Sequence, residues 1–422
     1  MTTIGQAAER HAAAHDPEAH DPEPGQALPD AASLAMRAVH RAASDLRRGT
    51  PVLLTGPGGP LIIAAAETVG ARGLAELSAL ATGPAVLLLA TTRAAAVLHR
   101  PVPSQGATAA GTASRGVEPK GIQEAPVALS LPPTLLDPVH LRSLADPVAE
   151  QLLPATPELT APPPLAFAAI ALAKLGRLLP ALVAAPVAAH GVATTGSLPR
   201  QEAAAALLSL PAADVLAYPN TAATSLTRVA EAHVPLEDSS ETRIVAFRAA
   251  DGGIEHLAIL VGDPEGLFAA GGSPLVRAHS ECFTGDLLGS LRCDCGPQLR
   301  GAIARMAKDG AGVLLYLAQE GRGIGLVNKL RAYTLQDQGL DTLDANRALG
   351  YGADERGFMV AATMLRQLGI TRVRLLTNNP DKLAGLAACG IDVEGREPHS
   401  FAANGVNDHY LETKAERFGH ML

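Results

Sequence analysis

The pattern of apolar and polar positions divides the chain into three unequal stretches. Residues 1–30 show no hydrophobic period and are polar and proline-containing, which predicts a disordered tail. Residues 31–215 mix short apolar runs with segments of helical spacing. From residue 216 the pattern is first β-type, and then strands and helices alternate to residue 422. We therefore predict an α/β fold with mixed sheets in two domains, 31–215 and 216–422.

In the first domain, helical spacing predicts a helix over residues 31–48, with Asp30 as its N-cap. The short apolar run 85–91 predicts a buried strand. The longer apolar segment 164–183 is predicted as one helix. The turn-forming residues 217–222 (AYPNTA) are predicted to be the junction between the domains.

The second domain begins with two apolar stretches on either side of Asp251, Gly252 and Gly253, which is typical of a β-hairpin. The predicted elements are strands over 242–249, 254–263, 273–280 and 313–319, helices over 299–310 and 326–337, and a charged structural helix over 411–420.

Composition and charge exclude several classes of protein. The chain has 422 residues and a net charge of −8, which argues against a general nucleic-acid surface. The longest apolar run, 164–195, is interrupted by Lys174, Arg177, Pro180 and Pro186, so it is not a membrane span. No secretory signal is visible. We expect a cytoplasmic protein without membrane or nucleic-acid partners.

Three of the four cysteines lie within residues 282–295, at Cys282, Cys293 and Cys295. Buried free cysteines are the ordinary alternative, but clustering in a cysteine-poor chain favours a metal site. Thiolates bind zinc tetrahedrally at about 2.3 Å. Cys293 and Cys295 would point the same way if the local chain is extended, because strand side chains alternate.

The spacing alone leaves open what kind of metal site this is. In a closed structural site, His279 would be the fourth ligand. In a catalytic site, water would take that corner, and bound zinc would lower the pKa of the water to about 7.

Four motifs in order resemble GTP cyclohydrolase II, the first committed enzyme of riboflavin synthesis. They are RAHSECFTGDLLGSLRCDCGPQ (277–298), YLAQEGRGIGLVNKLRAYTLQDQG (316–339), ANRALGYGADER (345–356) and LLTNNPDK (375–382). The resemblance runs from about Arg228 to the end of the chain. It implies that zinc, one ion per subunit on Cys282, Cys293 and Cys295, activates water to attack C8 of the guanine.

The resemblance also implies three catalytic residues. Tyr333 is expected near the reacting purine, Asp354 as proton acceptor and Arg356 as nucleophile. Because a guanidinium stays protonated, stabilisation of charge at the α-phosphate is the easier role for Arg356. On residue pattern alone, Asp354 would be a helix cap, and Lys329 and Arg331 a solvated helix face.

By the same resemblance, a further set of residues holds GTP, with Mg²⁺ on the triphosphate. The set is Arg277, Ala278, His279, Ser280, Glu281, Gln298, Glu320, Gly321, Arg322, Thr342, Thr377 and Lys382. One position departs from the pattern, because many members have arginine where this chain has Ala318. A homodimer is expected. The alternative function is a zinc-containing GTP-binding scaffold or regulator without catalysis.

The first domain resembles, more faintly, 3,4-dihydroxybutanone 4-phosphate synthase, the other entry enzyme of riboflavin synthesis. In that family an acidic first turn holds magnesium, whereas residues 55–60 here read TGPGGP and have no carboxylate. The catalytic His-Thr-Glu run of that family is also missing. We therefore expect a degenerate, inactive copy that serves in packing or dimerisation. A bifunctional enzyme is disfavoured.

Overall fold

The structure, a computed structural model, describes residues 30–102, 125–151, 153–188, 207–352 and 354–421. The predicted disordered tail lies outside these residues, apart from Asp30. In the described part, the strands form two sheets of seven, one in each half of the chain. The predicted α/β fold with mixed sheets is confirmed. No described helix is long and apolar enough to cross a bilayer.

The first sheet has the strand order β5-β4-β3-β6-β2-β1-β7 and is antiparallel except for the β1–β7 pair. Its strands are β1 (Val52–Thr55), β2 (Leu61–Ala65), β3 (Val86–Leu89), β4 (Val127–Ser130), β5 (Leu159–Thr160), β6 (Ala181–Pro186) and β7 (Ser209–Pro211). The helices of this half are α1 (Ala31–Arg47), α2 (Ala71–Leu80), α3 (Thr91–Leu98), α4 (Pro138–Ala145), α5 (Ala166–Leu175) and α6 (Ala212–Thr224).

The second sheet has the order β14-β13-β11-β12-β10-β9-β8. Its strands are β8 (Thr227–His233), β9 (Thr242–Arg248), β10 (His256–Gly262), β11 (Leu275–Ser280), β12 (Ala311–Leu317), β13 (Arg372–Leu376) and β14 (Asp392–Glu397). The helices are α7 (Pro264–Ala269), α8 (Cys295–Asp309), α9 (Leu326–Asp337), α10 (Thr342–Ala348), α11 (Met359–Gln367), α12 (Pro380–Ala388) and α13 (Asp408–Phe418).

This second sheet changes strand direction along its width. Strands β8, β9, β10 and β12 pair antiparallel, and β9 and β10 form the predicted hairpin. Strands β12, β11, β13 and β14 pair parallel. Since parallel strands end at one edge of the sheet, residues that follow β11, β12 and β13 are brought together there.

The prediction of one helix over 164–183 was wrong. Helix α5 ends at Leu175, and Arg177 follows with a left-handed φ of 55°. Strand β6 then runs through the middle of the first sheet, between β3 and β2. The error has a physical cause, because a strand buried on both faces is as continuously apolar as a buried helix. The hydrophobic pattern therefore does not reveal the tight turn at residues 176–180.

The prediction of a turn at residues 217–222 was also wrong, because these residues lie inside α6 despite Pro219. The helix buries Ala212, Val215 and Ala223, which recur at helical spacing. Tertiary packing outweighs the one backbone donor that proline removes. Helix α6 packs against α1 and α5 of the first domain and α11 of the second, so it contacts both domains.

Candidate active site

A deep cleft opens where the parallel strands β11, β12 and β13 end. It contains about 1160 Å³ of empty space, open solvent at its mouth included. Its lining is rich in cations, although the chain as a whole is acidic. The basic lining residues are Arg277, Arg292, Arg322, Lys329, Arg356, Lys382 and Lys414, against Glu281 and Glu320.

Strand β11 supplies alternate side chains to the cleft. Arg277 and His279 line it, whereas the side chain of Ala278 packs in the hydrophobic core behind the strand. Only the carbonyl of Ala278 faces the site, where it accepts a hydrogen bond of 2.6 Å from Lys382 Nζ. Burial lowers the pKa of Arg277 to about 10, so this guanidinium remains charged at neutral pH.

The three cysteines converge at one end of the cleft. Their sulfurs all lie within 4.8 Å of one another, and the Cys282 and Cys293 sulfurs are 3.8 Å apart. Cys282 follows β11, Cys293 lies in the turn before α8, and Cys295 is the first residue of α8. The extended chain that would make Cys293 and Cys295 point the same way is not present, because Cys295 begins a helix.

The donor set and its spacing suit a zinc ion. Bond lengths of about 2.3 Å in a tetrahedron imply sulfurs about 3.8 Å apart, which is the separation of Cys282 and Cys293. Gly285 leaves room beside the sulfurs, because a Cβ there would lie 2.7 Å from Cys293 Sγ and 3.0 Å from Cys282 Sγ. The prediction that these three residues could hold a metal is therefore consistent with the structure.

His279 is not placed as a fourth ligand. Its Nε2 lies 3.2 Å from both carboxylate oxygens of Asp286, and its Nδ1 accepts from Arg277 Nε at 3.4 Å. Burial lowers the pKa of this imidazole. Among the described residues, the group able to hold a metal contains cysteines alone. The arrangement favours an open site over a closed one.

Lys329 and Glu320 form a buried ion pair beside the cysteines. Lys329 Nζ lies 2.9 Å from Glu320 Oε1 and 3.0 Å from Cys282 Sγ. Hydrogen bonds from Cys293 and Cys295, and then Lys329, lower the pKa of the Cys282 thiol well below its ordinary value. The residue pattern suggested a solvated helix face for Lys329, and that suggestion was wrong, because α9 turns this side into the cleft.

The Glu320 carboxylate holds two backbone segments in place, the one after Cys282 and the one after Glu320 itself. Its Oε2 accepts from Phe283 N at 2.7 Å, and its Oε1 accepts from Gly321 N at 2.9 Å. Arg322 follows with a left-handed φ of 63°, a conformation disfavoured for a side chain with a Cβ. Strain of this kind persists where surrounding contacts fix it, and it is common at functional sites.

Tyr333 reaches the cleft from α9, one turn after Lys329. Its hydroxyl lies 3.3 Å from Thr284 Oγ1, and the guanidinium of Arg292 lies 4.6 Å from its ring centre. Burial raises the pKa of the phenol, so the hydroxyl stays protonated at neutral pH. Tyr333 therefore offers a hydrogen-bond donor close to the cysteines.

Asp354 and Arg356 form a largely buried ion pair next to the cleft. Asp354 Oδ1 accepts from Arg356 Nε at 2.7 Å, and Arg356 Nη1 donates to Ser280 Oγ at 3.3 Å. Burial opposes ionisation of Asp354, but Arg356 and then Arg322 outweigh it and lower the pKa of the carboxyl to about 2. Arg356 lines the cleft, whereas Asp354 lies behind it.

The remaining predicted residues gather around the same space. Those that line the cleft are Arg277, His279, Ser280, Glu281, Gln298, Glu320, Gly321, Arg322, Thr342, Thr377 and Lys382, together with Tyr333, Arg356 and the three cysteines. Ala278 and Asp354 do not line the cleft, but each bonds a residue that does, Lys382 and Arg356 respectively. The individual roles of these residues stay predictions.

The C-terminal helix α13 belongs to the site, which the sequence did not reveal. Tyr410, Lys414 and His420 line the cleft, although residues 411–420 were predicted to be structural. Lys414 Nζ lies 2.6 Å from Asp294 Oδ1, and both side chains are almost fully buried. A charged segment at a chain end looks solvent-exposed by pattern, and only the fold shows that Asp294 is its partner.

We expect Lys414→Met to lower the free energy of unfolding by about 3–5 kcal/mol, because it leaves Asp294 buried without its counter-ion. Urea denaturation of the full chain measures this. The control is Lys308→Met, an exposed lysine in the last turn of α8, which should change stability by less than about 0.5 kcal/mol. Equal stability of both variants would contradict the assignment.

Comparison with known proteins agrees with this geometry. The profile of a family described as GTP cyclohydrolase II matches residues 227–398. A GTP cyclohydrolase-2 of Azospirillum brasilense is 50% identical over 394 residues, covering 92% of this chain and 94% of that protein. A GTP cyclohydrolase-2 of Escherichia coli O9:H4 (strain HS) is 50% identical over 198 residues, which is 47% of this chain and 98% of that protein.

Among solved structures, a two-domain 3,4-dihydroxy-2-butanone 4-phosphate synthase from A. baumannii covers 86% of this chain and 99% of its own, at 20% identity and a TM-score of 0.29.

The fold and site define an α/β enzyme with a basic cleft over three cysteines. By its similarity over almost its whole length, the chain belongs to the GTP cyclohydrolase II family.

Proposed function

We propose that this protein hydrolyses GTP to 2,5-diamino-6-(5-phosphoribosylamino)pyrimidin-4(3H)-one, formate and pyrophosphate, with zinc as cofactor, in the first step of riboflavin biosynthesis. The observation that carries the proposal is the meeting of three thiols with a cationic cleft in one pocket. A metal ion held by three thiolates can activate water. Lysine and arginine side chains can bind the negatively charged triphosphate.

The cysteine end of the cleft would take the purine. Cys282, Cys293 and Cys295 would hold the zinc, which when bound supplies water of lowered pKa. The protonated Tyr333 hydroxyl lies at this end, and Lys329 balances the charge of Glu320 and of the Cys282 thiolate. Hydrolysis at C8 opens the imidazole ring, and a second hydrolysis releases the carbon as formate.

The cationic part of the lining would take the triphosphate. Arg356, Lys382 and Arg277 belong to it, together with Thr377 and Gln298. Helix α12 begins nearby at Pro380, and free backbone donors at a helix start favour phosphate. Mg²⁺ is expected on the phosphates rather than in a protein cage.

At the α-phosphate, water replaces pyrophosphate, and negative charge develops on the leaving oxygen. Arg356 is fixed by Asp354 and charged, which suits stabilisation of that charge. With a pKa of about 2, the paired Asp354 carboxylate is a weak base, so we assign it the orientation of Arg356.

We expect the purified full chain, supplied with GTP, Zn²⁺ and Mg²⁺, to release formate and pyrophosphate in equal amounts as the pyrimidine absorbance rises. A typical turnover number is about 1–1000 per second. Tight GTP binding without any of these products would support the alternative, a GTP-binding scaffold or regulator.

The same preparation tests the first domain. Residues 55–60 provide no carboxylate for magnesium, so ribulose 5-phosphate should yield no dihydroxybutanone phosphate. The cytoplasmic location and the homodimer stay predictions.

A further inference from the structure

The last residues of α5 and the turn that leads to β6, residues 174–180, belong to the first domain but pack against the second. Tyr351 Oη donates to Leu178 O at 2.5 Å, and Asn328 Nδ2 donates to Arg177 O at 3.0 Å. One hydrophobic cluster continues across the seam, from Leu179 to Leu335 and Tyr351. The two domains therefore share a packed core rather than a loose contact.

Arg177 reaches from this turn to the end of β12. Its Nη2 donates to Ala318 O at 2.8 Å, while His256 Nδ1 accepts from Ala318 N at 3.0 Å. Its stem crosses Gly325, where a Cβ would lie 3.0 Å from Arg177 Cβ. Arg177 thus fixes both ends of the turn that carries Glu320 and Arg322.

Lys174 makes the corresponding contact on the other loop. Its Nζ lies 2.6 Å from Glu355 Oε1, and the two side chains are only 16% and 17% exposed. Glu355 is the residue between Asp354 and Arg356. Its Oε1 also accepts from Gly352 N at 2.7 Å, and its backbone N–H donates to Arg322 O at 3.2 Å. The ion pair therefore joins both catalytic loops to the first domain.

We propose that Lys174 and Arg177 are positioning residues for the reaction, and that the first domain serves to fix the two loops carrying Glu320–Arg322 and Asp354–Arg356. The proposal rests on the proposed function. Neither cation lines the cleft, so each acts through the loop that it holds. Misplacement of reacting groups by about 1 Å can cost about a hundredfold in rate.

The seam itself provides a matched control. Arg331 makes ion pairs with Glu67 and Asp146 of the first domain at 2.9 Å and is 18% exposed, much like Lys174. It lies on α9, and its hydrogen bonds go to Asp146 and Asn328 rather than to either loop. A residue that only docks the domains should behave like Arg331.

The test uses full-length Lys174→Met, Arg177→Gly and Arg331→Leu. The glycine relieves the left-handed strain at residue 177, so loss of the guanidinium is separated from backbone cost. We expect the first two variants to lower kcat by about 10–100-fold with little change in KM. Arg331→Leu should lower Tm at least as much as those two variants do, but it should keep the wild-type kcat. Lys174→Arg, which keeps the positive charge, should have a kcat close to that of the wild type.

Hydrogen exchange gives a readout that does not need turnover. In Lys174→Met and Arg177→Gly, amides of residues 318–325 and 354–358 should exchange faster, with the central strands unchanged. If the wild-type chain fails to hydrolyse GTP, the proposed function is wrong. Hydrogen exchange alone then decides whether Lys174 and Arg177 hold the two loops in place. Unchanged exchange and kcat, or an equal loss of kcat in Arg331→Leu, would overturn the positioning role.

Discussion

Cys293→Ser should lose both the metal and the activity. Cys293 Sγ lies 3.8 Å from Cys282 Sγ, and serine offers a harder, less acidic oxygen in its place. Zinc is expected to fall from one equivalent per chain to near zero, and formate release to background. The full chain need not unfold, because the cleft is also held by the ion pairs of Glu320 and Asp294.

The fourth cysteine supplies the control for this prediction. Cys389 follows α12 and packs partly buried in the core of the second domain, away from the cluster. Cys389→Ser should keep the metal and turnover. Metal analysis of both proteins, beside circular dichroism, separates ligand loss from unfolding. Full zinc and normal formate release in Cys293→Ser would remove the basis of the proposed site.

Arg356→Lys should lower kcat by about 10²–10³-fold, the usual effect of losing one well-placed donor to a developing charge. Lysine keeps the charge but cannot bond Asp354 and Ser280 through a planar fork. Burial opposes the charge on Arg356, but Asp354 outweighs it and raises the pKa of the guanidinium. Single-turnover kinetics with GTP measures the rate of pyrophosphate release.

A charge-stabilising Arg356 forms no covalent bond to the nucleotide. Mass spectrometry after acid quench of the wild-type reaction should therefore find no nucleotidyl adduct. Arg305→Lys, an exposed arginine of α8, is the control and should keep kcat. A trapped adduct on Arg356, or full activity of Arg356→Lys, would refute the assigned role.

The pKa of Asp354 gives this pair a pH dependence with a definite sign. Its folded pKa of about 2 is below the ordinary value of 3.8, so the pair stabilises the fold above about pH 4 and is lost as pH falls toward 2. An acid limb of activity near neutral pH would then belong to another group and should persist in Asp354→Asn.

How far sequence reasoning reached can be judged from particular residues. The four motifs identified three cysteines, Arg356 and Tyr333 as site residues, and all five line the cleft. Motif spacing could find them because it is a property of the sequence alone. The hairpin at Asp251 was predicted because turn chemistry is local. The sequence did not show that Lys329 and Lys414 are buried cations, because their burial against Glu320 and Asp294 is decided by the fold.

The sequence by itself determined most strands and helices of the second domain and the cysteine cluster of its site, because hydrophobic period and ligand spacing are properties of neighbouring residues. Only the tertiary structure decided which cation meets which carboxylate. It also decided that the apolar stretch 164–183 forms a helix, a turn and a central strand, and it brought Lys174 to Glu355 and Arg177 to Ala318. Lys174 with Glu355, Arg177 with Ala318 and Lys414 with Asp294 each join residues more than a hundred positions apart, which no local pattern encodes.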